Sequence, residues 1–333
     1  MDQPAIQIRA TNQDGVSADI TSLCRTISWS GSYLNAARTL AFAPLVCDTP
    51  GILPRAPIEL GGHVQLSVDG NLLMDAWSLE RTRDSLSNSV DVTAYDRGLY
   101  LTRNSKTMRI AGQTPETVTA SLCKEFGIKV DALAATGVPI TRNFWGVSLY
   151  KIIMTLYTLA ADQTGRKYRL RFAGEGLEVV EMAQTPQSIL LEPGCNLLCC
   201  TTRESASRMT NSVALYNDEY KQIALQEDKE LVRLYGLMRE AVKASAYDDP
   251  VAHAKKVIAD NGLQTTMSVT ALGNTKLITG NTVVLKEPVT GVYGLFWITS
   301  DTHTWQRNIY QTKLGLSFEA IMDSQSAGSV PTK

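Results

Sequence analysis

The chain has 333 residues, of which 44% are hydrophobic and 20% charged, with a formal net charge of -1. This length predicts two or three compact units, the composition is that of an ordinary globular protein, and the balanced charge excludes a protein whose main task is gripping nucleic acid. The N-terminus MDQPAIQIRATNQDG lacks a signal-peptide pattern, and apolar runs such as SILL and NLLCC fall far short of the roughly 20 residues that cross a bilayer. Assembly in a cytoplasm without stable membrane insertion is therefore expected.

Residues 1–105 have β texture: IQIRA, HVQLSV and SVDVTAY alternate apolar and polar positions, with turn formers such as Asp69–Gly70 between them. The stretch ISWSGSYLNAARTLAFAPL (27–45) is ambiguous, because NAARTLAFA has the Ala-rich look of a helix. Pro44 disfavours helical geometry at Ala43, and Leu40 and Phe42 alternate with Thr39 and Ala41. We read ISWSG as a strand end with Gly31 at its bend, and 38–46 as the next strand. DTPGILPRAP (48–57) is an irregular connection, since its three prolines remove ladder donors.

Helical spacing begins after 106. GQTPETVTASLCKEFGI has Thr114 as N-cap, Pro115 at the first helical position and Gly127 as stop, and SLYKIIMTLYTLAADQTG runs from Ser148 to Gly165. Strands at 167–172 and 177–182 complete a small α/β unit. In RKYRLRF, Lys167, Arg169 and Arg171 share one face of a strand and Tyr168, Leu170 and Phe172 the other. That basic face suits either the solvated side of an edge strand or a contact with phosphates or an acidic partner. AYDRGLYLTRN (94–104) is expected to be the corner leading into this unit. β texture returns after 186, is interrupted by a helix-prone stretch with Asp249 as cap and Pro250 at N1, and resumes from 263. DSQSAGSVPTK is expected to be a disordered tail.

No phosphate loop or dinucleotide fingerprint occurs. The six cysteines (24, 47, 123, 195, 199 and 200) include one cluster, GCNLLCC, which lacks a C-x-x-C pair. Buried apolar thiols are preferred over a zinc site there, and no metal or cofactor is expected. Asp301-x-His303 with Trp305 is the best catalytic candidate. With three histidines far apart in sequence, however, SDTHTW is read as a strand-to-loop position where His303 hydrogen-bonds locally. No catalytic residue is assigned and the chain is not read as an enzyme.

Gapped self-comparison gives an internal echo. GHVQLSV…MDAWSLERTRDS…SVDVTAYD (62–96) resembles GNTVVLKE…GLFWITSDTHTW…YQTKLGLSF (280–318), and Trp77 and Trp297 fall 13 and 14 residues after Val64 and Val283. Two antiparallel meanders can look this alike without common origin; the other reading is two similar β-barrels in one chain.

The phrases ISWSGSYLNAARTLAF, SVDVTAYDRGLYLTRN, GQTPETVTASLCKEFGI, SLYKIIMTLYTLAADQTGRKYRLRF and GLFWITSDTHTWQRNIYQTKLGLSF, in that order, resemble the XkdQ/YqbQ-type phage (prophage) tail hub proteins. These are similar in turn to Mu-type contractile-tail baseplate hubs and to the hub region of type VI secretion spikes. The resemblance covers about 6–320. It implies a mixed-β fold with α+β insertions: a first tube-like barrel at 1–105, an α/β domain at 106–185, a second barrel at 186–226 and 263–320, a helical insert at 227–262 and a flexible tail at 321–333. Trp29, Leu40, Phe42, Val64, Leu66, Trp77, Tyr95, Trp297, Trp305, Leu314 and Leu316 are the expected barrel-wall residues.

The same resemblance implies a structural homotrimer in a virion baseplate, or in a headless tailocin, bridging a sixfold tail tube and a threefold spike. Partners would be the chain itself, tube and spike proteins, the tape measure protein and neighbouring baseplate proteins, with DNA only in passage. A tail-associated cell-wall hydrolase or peptidase is the alternative, and a secretion-system spike a third reading.

Overall fold

A computed structural model describes residues 4–46, 56–182, 189–246 and 249–331. The first strands are β1 (Ile6–Thr11), β2 (Ser17–Asp19), β3 (Cys24–Ser32), β4 (Thr39–Pro44), β5 (His63–Val68), β6 (Asn71–Arg83) and β7 (Val90–Tyr95). Next come α1 (Gly98–Arg103), β8 (Ser105–Gln113), α2 (Pro115–Glu125), β9 (Val130–Leu133), β10 (Ile140–Ser148), α3 (Leu149–Thr164), β11 (Tyr168–Ala173) and β12 (Gly176–Glu181). They are followed by β13 (Ile189–Leu191), β14 (Leu197–Ser205), β15 (Ser212–Tyr216), β16 (Gln222–Glu227), α4 (Lys229–Tyr235), β17 (Arg239–Lys243) and α5 (Pro250–Asp260). The last strands are β18 (Gln264–Leu272), β19 (Thr282–Glu287), β20 (Val292–Gln306) and β21 (Ile309–Ser317).

The ambiguous stretch is β: Leu40 and Phe42 on β4 are buried, at 0% and 3% exposure. Gly31, expected at a bend, instead lies inside β3, and the turn falls at Tyr33–Arg38. Its lack of a side chain serves packing, because a Cβ there would lie 2.4 Å from Nη1 of Arg38. Most of DTPGILPRAP, and Cys47, lie outside the described residues.

The chain divides into two compact units, Met1–Cys199 with Val269–Lys333, and Cys200–Ser268. The fold is mixed β with α+β insertions. The two expected barrels are not separate closed rings: their strands share one sheet, ordered β14-β18-β21-β20-β3-β4-β7-β6-β5-β1-β2, with β19 on β20 and β13 on β19. The cause is the length of β20. Its first half pairs with β19, and its second half, Ser300–Gln306, pairs with β3.

Within that sheet the two meanders match in detail. Trp77 pairs with His63 and Trp297 with Thr282, in each case the first residue of the preceding strand. One residue further on, both long strands carry a bulge against the next strand, between Ser78 and Glu80 and between Ile298 and Ser300. Gly61 N–H donates to Ser78 C=O and Gly280 N–H to Ile298 C=O, both at 2.7 Å. Both glycines have positive φ, 79° and 82°, a conformation that side chains disfavour. The one-residue difference in spacing is the net of two features: the second hairpin, Pro288–Gly291, is two residues longer than Asp69–Gly70, and a bulge at Leu73 on β6 adds one residue to the first ladder.

The α/β region is built on α3. Ser148 Oγ accepts from Lys151 N at 3.4 Å, and Gly165, at φ 72°, ends the helix. Leu149, Ile152, Ile153 and Leu156 are fully buried, packed with Phe144, Tyr168 and Met322. Asp96, Arg97 and α1 form the corner after β7.

Two expectations fail here. Residues 321–333 were expected to be a free tail, but Met322 joins the α3 core, Tyr150 Oη donates to Asp323 at 2.5 Å, and Gln325 N and Ala327 N donate to the hydroxyls of Thr158 and Thr155. Small polar residues lie flat on the helix because its threonines supply acceptors. Residues 206–262 also differ from the expected division into barrel and helical insert. β15, expected in the second barrel, forms its own sheet in the order β16-β15-β17, packed with α5 through Val213, Leu215, Val242 and Ala254. β17 has only one buried residue, Val242, so its alternation was too faint to separate it from a helix.

Candidate functional site: a buried ion pair at the seam of the two strand sets

The β20–β3 ladder sets Asp301 opposite Gly31, His303 opposite Trp29 and Trp305 opposite Ile27. Arg38 enters from the turn before β4, and its backbone is held by Asp96: Arg38 N donates to Asp96 Oδ2 at 3.1 Å, and Asp96 N to Arg38 O at 3.3 Å. The guanidinium crosses Gly31, lies 3.9 Å from the centre of the Trp29 ring and grips Asp301 with both terminal nitrogens. This two-pronged geometry is specific to arginine. Thr279 adds its backbone N–H and its hydroxyl to Asp301 Oδ1, both at 2.6 Å.

Electrostatics follow from burial. The Asp301 and Arg38 side chains are 0% and 14% exposed. Burial alone would raise the Asp301 carboxyl, but Arg38 and His303 together hold it far below the ordinary carboxylate range. Asp96 is buried too, and desolvation pushes its carboxyl up to about 6 against the backbone N–H groups of Arg38 and Gly98. His303 is fully buried, and burial pushes its imidazole below the ordinary value despite Asp301. Nδ1 meets Tyr310 Oη at 2.8 Å and Thr312 Oγ1 at 3.2 Å, while Nε2 is 3.3 Å from Asp301 Oδ2 without hydrogen-bond alignment. Trp305 stacks on Tyr310 with centroids 4.2 Å apart.

Asp301-x-His303 thus lies inside a strand and not at a strand-to-loop junction, and His303 bonds to the neighbouring strand. The arrangement fastens two strand sets together, with Asp301 and His303 both buried in it. Arg38, Tyr310 and Thr279 escaped the sequence reading. Arg38 and Asp301 are 263 positions apart, and no local pattern signals that contact.

The expected wall residues lie on the strands of the large sheet. Trp29, Leu40, Phe42, Val64, Leu66 and Trp305 are brought together in one core with Tyr310. Trp297, Leu314 and Leu316 are buried on β20 and β21 outside that cluster. Trp77 and Tyr95 are half-buried: Arg97 lies over the Trp77 ring at 4.6 Å, and Tyr95 Oη donates to Glu80 at 3.0 Å. Contrary to the buried-thiol reading, Cys195 and Cys199 are exposed and Cys200 half-buried. No group of His, Cys, Asp or Glu able to hold a metal occurs among the described residues, and no helix there is long and apolar enough to cross a membrane.

Comparison with solved structures finds the same fold in tail proteins. The 43 kDa tail protein of prophage MuSo2 from Shewanella oneidensis superposes with a TM-score of 0.70 at 13% identity, over 95% of this chain and 97% of that one. The tail protein from Neisseria meningitidis MC58 gives 0.67 at 14% identity, over 97% of this chain and all of that one. The E. coli c3393 protein, a type VI secretion component described as similar to the T4 tail proteins gp27 and gp5, gives 0.53 at 11% identity, over 93% and 76%. In sequence, the uncharacterized protein YqbQ of Bacillus subtilis (strain 168) is 24% identical over 263 residues, 74% of this chain and 81% of that protein. Residues 27–317 match the family described as YQBQ-like, and the chain belongs to that family.

Proposed function

We propose that this protein is a non-enzymatic tail hub of a phage or tailocin, a homotrimer seated between the tail tube and the spike. The observation that carries this reading is the matched register of the two meanders, with Trp77 and Trp297 at equivalent pairs followed by equivalent bulges. A tube end of sixfold symmetry offers six equivalent surfaces, and closed assemblies need complementary patches in matching number. A trimer whose subunits each carry one copy of a strand module meets three of them; two copies meet all six, leaving the inserted regions to face a threefold partner. The rigid seam suits a part that transmits the load of a contracting tail. Its buried Asp301 and His303 support a structural role over cell-wall hydrolysis.

On this reading the protein resides in the virion baseplate after assembly in the host cytoplasm, beside tube, spike, tape measure and other baseplate proteins, with DNA only passing through. Native mass spectrometry of the purified chain, alone and mixed with its tube and spike proteins, is expected to give a trimer. A monomer that binds neither partner overturns the proposal, as does electron microscopy of the native particle placing the chain away from the tube–spike junction.

A further inference from the structure

Below the seam, a cavity of about 270 Å³ lies between the large sheet and the α/β region of the first unit, lined by Arg38, Arg169 and Arg171. Two of these cations are matched: Arg38 by Asp301, and Arg171 by Glu178 at 2.7 Å. The Arg169 side chain is half-buried and donates no hydrogen bond among the described residues. It is held in place by close packing on Gly280, where a Cβ would lie 2.3 Å from its Nη1. Burial, then the neighbouring Arg171 and Arg38, pull its pKa down to about 9, which leaves it cationic at neutral pH.

The carboxylates facing the cavity are already committed. Asp96 accepts the backbone N–H groups of Arg38 and Gly98 on its two oxygens, and Asp323 accepts from Tyr150 and Gln325. The surroundings are short of acceptors: Arg38 Nε, Trp29 Nε1 and the Tyr168 hydroxyl are all buried without a partner. A half-buried guanidinium whose N–H groups meet no acceptor among the described residues is costly until one reaches it.

We propose that this cavity is a binding site for a small free oxyanion of phosphate or carboxylate type, with Arg169 as its anchor. The ligand accepts from the guanidinium fork of Arg169 and relieves the mutual repulsion of the three arginines. This site stands independently of the hub reading, since it rests on the donor and acceptor balance around one cavity.

The test is thermal unfolding of the full chain titrated with inorganic phosphate, and separately with acetate, against chloride at matched ionic strength. Wild type is expected to show a saturable rise in Tm with one or both oxyanions, as ligand binding to the folded state requires. R169M and R169Q should lose that rise, R169K should show a weaker one, and R233Q, at an exposed arginine, should leave it intact. In chloride, R169M should be at least as stable as wild type, because it removes an unmatched cation. A wild-type Tm that responds only to ionic strength overturns the proposal, whether or not the variants fold, and so does an unchanged response in R169M or R169Q.

Discussion

Arg38 and Asp301, from opposite ends of the chain, form a buried two-pronged ion pair where β3 meets β20, with Trp29 stacked on the guanidinium. A pair of this kind is poorly interpreted as a simple source of stability. Desolvating both charges offsets much of their attraction, so its more general effect is to penalise any arrangement that separates them.

That asymmetry is measurable. Arg38→Met leaves Asp301 charged and uncompensated, and is expected to cost about 3–5 kcal/mol in urea unfolding. Asp301→Asn should fall in the same range, since it strands the guanidinium. The double variant should be less destabilised than the sum of the two singles, as contacting residues are not additive. Additive losses would mean the two side chains do not act as a pair.

Gly31 tests the geometry without touching either charge. Its missing Cβ is where the Arg38 guanidinium crosses β3, and that guanidinium is pinned by Asp301 and Trp29. Gly31→Ala should therefore cost about 1–3 kcal/mol by overpacking, and most of that penalty should vanish in an Arg38→Ala background. An equal penalty in both backgrounds would place the strain elsewhere.

These contacts mark where sequence reading stops. The Leu40/Phe42 alternation, the caps at Ser148 and Asp249 and the two Trp-bearing meanders are local patterns, and each forms the expected element. The seam is not local. Asp301 was visible as a candidate in SDTHTW, but only the fold supplies Arg38 as its partner. Arg169 and Arg171 shared a strand face on paper, yet they line a cavity where a solvated edge was one expectation. The tail misled for a related reason: DSQSAGSVPTK carries little hydrophobicity of its own, and its order comes from hydroxyls on α3 and from Met322 just before it.

The docked tail predicts a specific loss. Met322 is 6% exposed, packs in the α3 core and accepts from Tyr168 N at 3.4 Å through its sulfur. Met322→Ala should cost about 2–5 kcal/mol, and amides 325 and 327 should lose hydrogen-exchange protection together with it. Protection unchanged in the variant would show that the tail docks without that anchor.

Asp96 gives stability a pH dependence of a definite sign. Its carboxyl is raised from an ordinary 3.8 to about 6 in the folded chain, first by desolvation and against the opposing N–H bonds from Arg38 and Gly98. The folded state therefore holds the proton more tightly than the unfolded one. Its contribution is fully present below about pH 4 and is lost as pH rises through about 6, by roughly 3 kcal/mol at 1.36 kcal/mol for each unit of pKa. Asp301 acts in the opposite sense, since its depressed carboxyl withdraws stability only as the solution becomes more acidic than an ordinary carboxylate pKa. Asp96→Asn should be less stable than wild type at low pH, because one amide oxygen cannot serve both N–H groups, and its stability should fall less steeply between pH 4 and 6. Unfolding free energies measured across that window decide the matter: the same slope in wild type and variant would assign the pH dependence to another group.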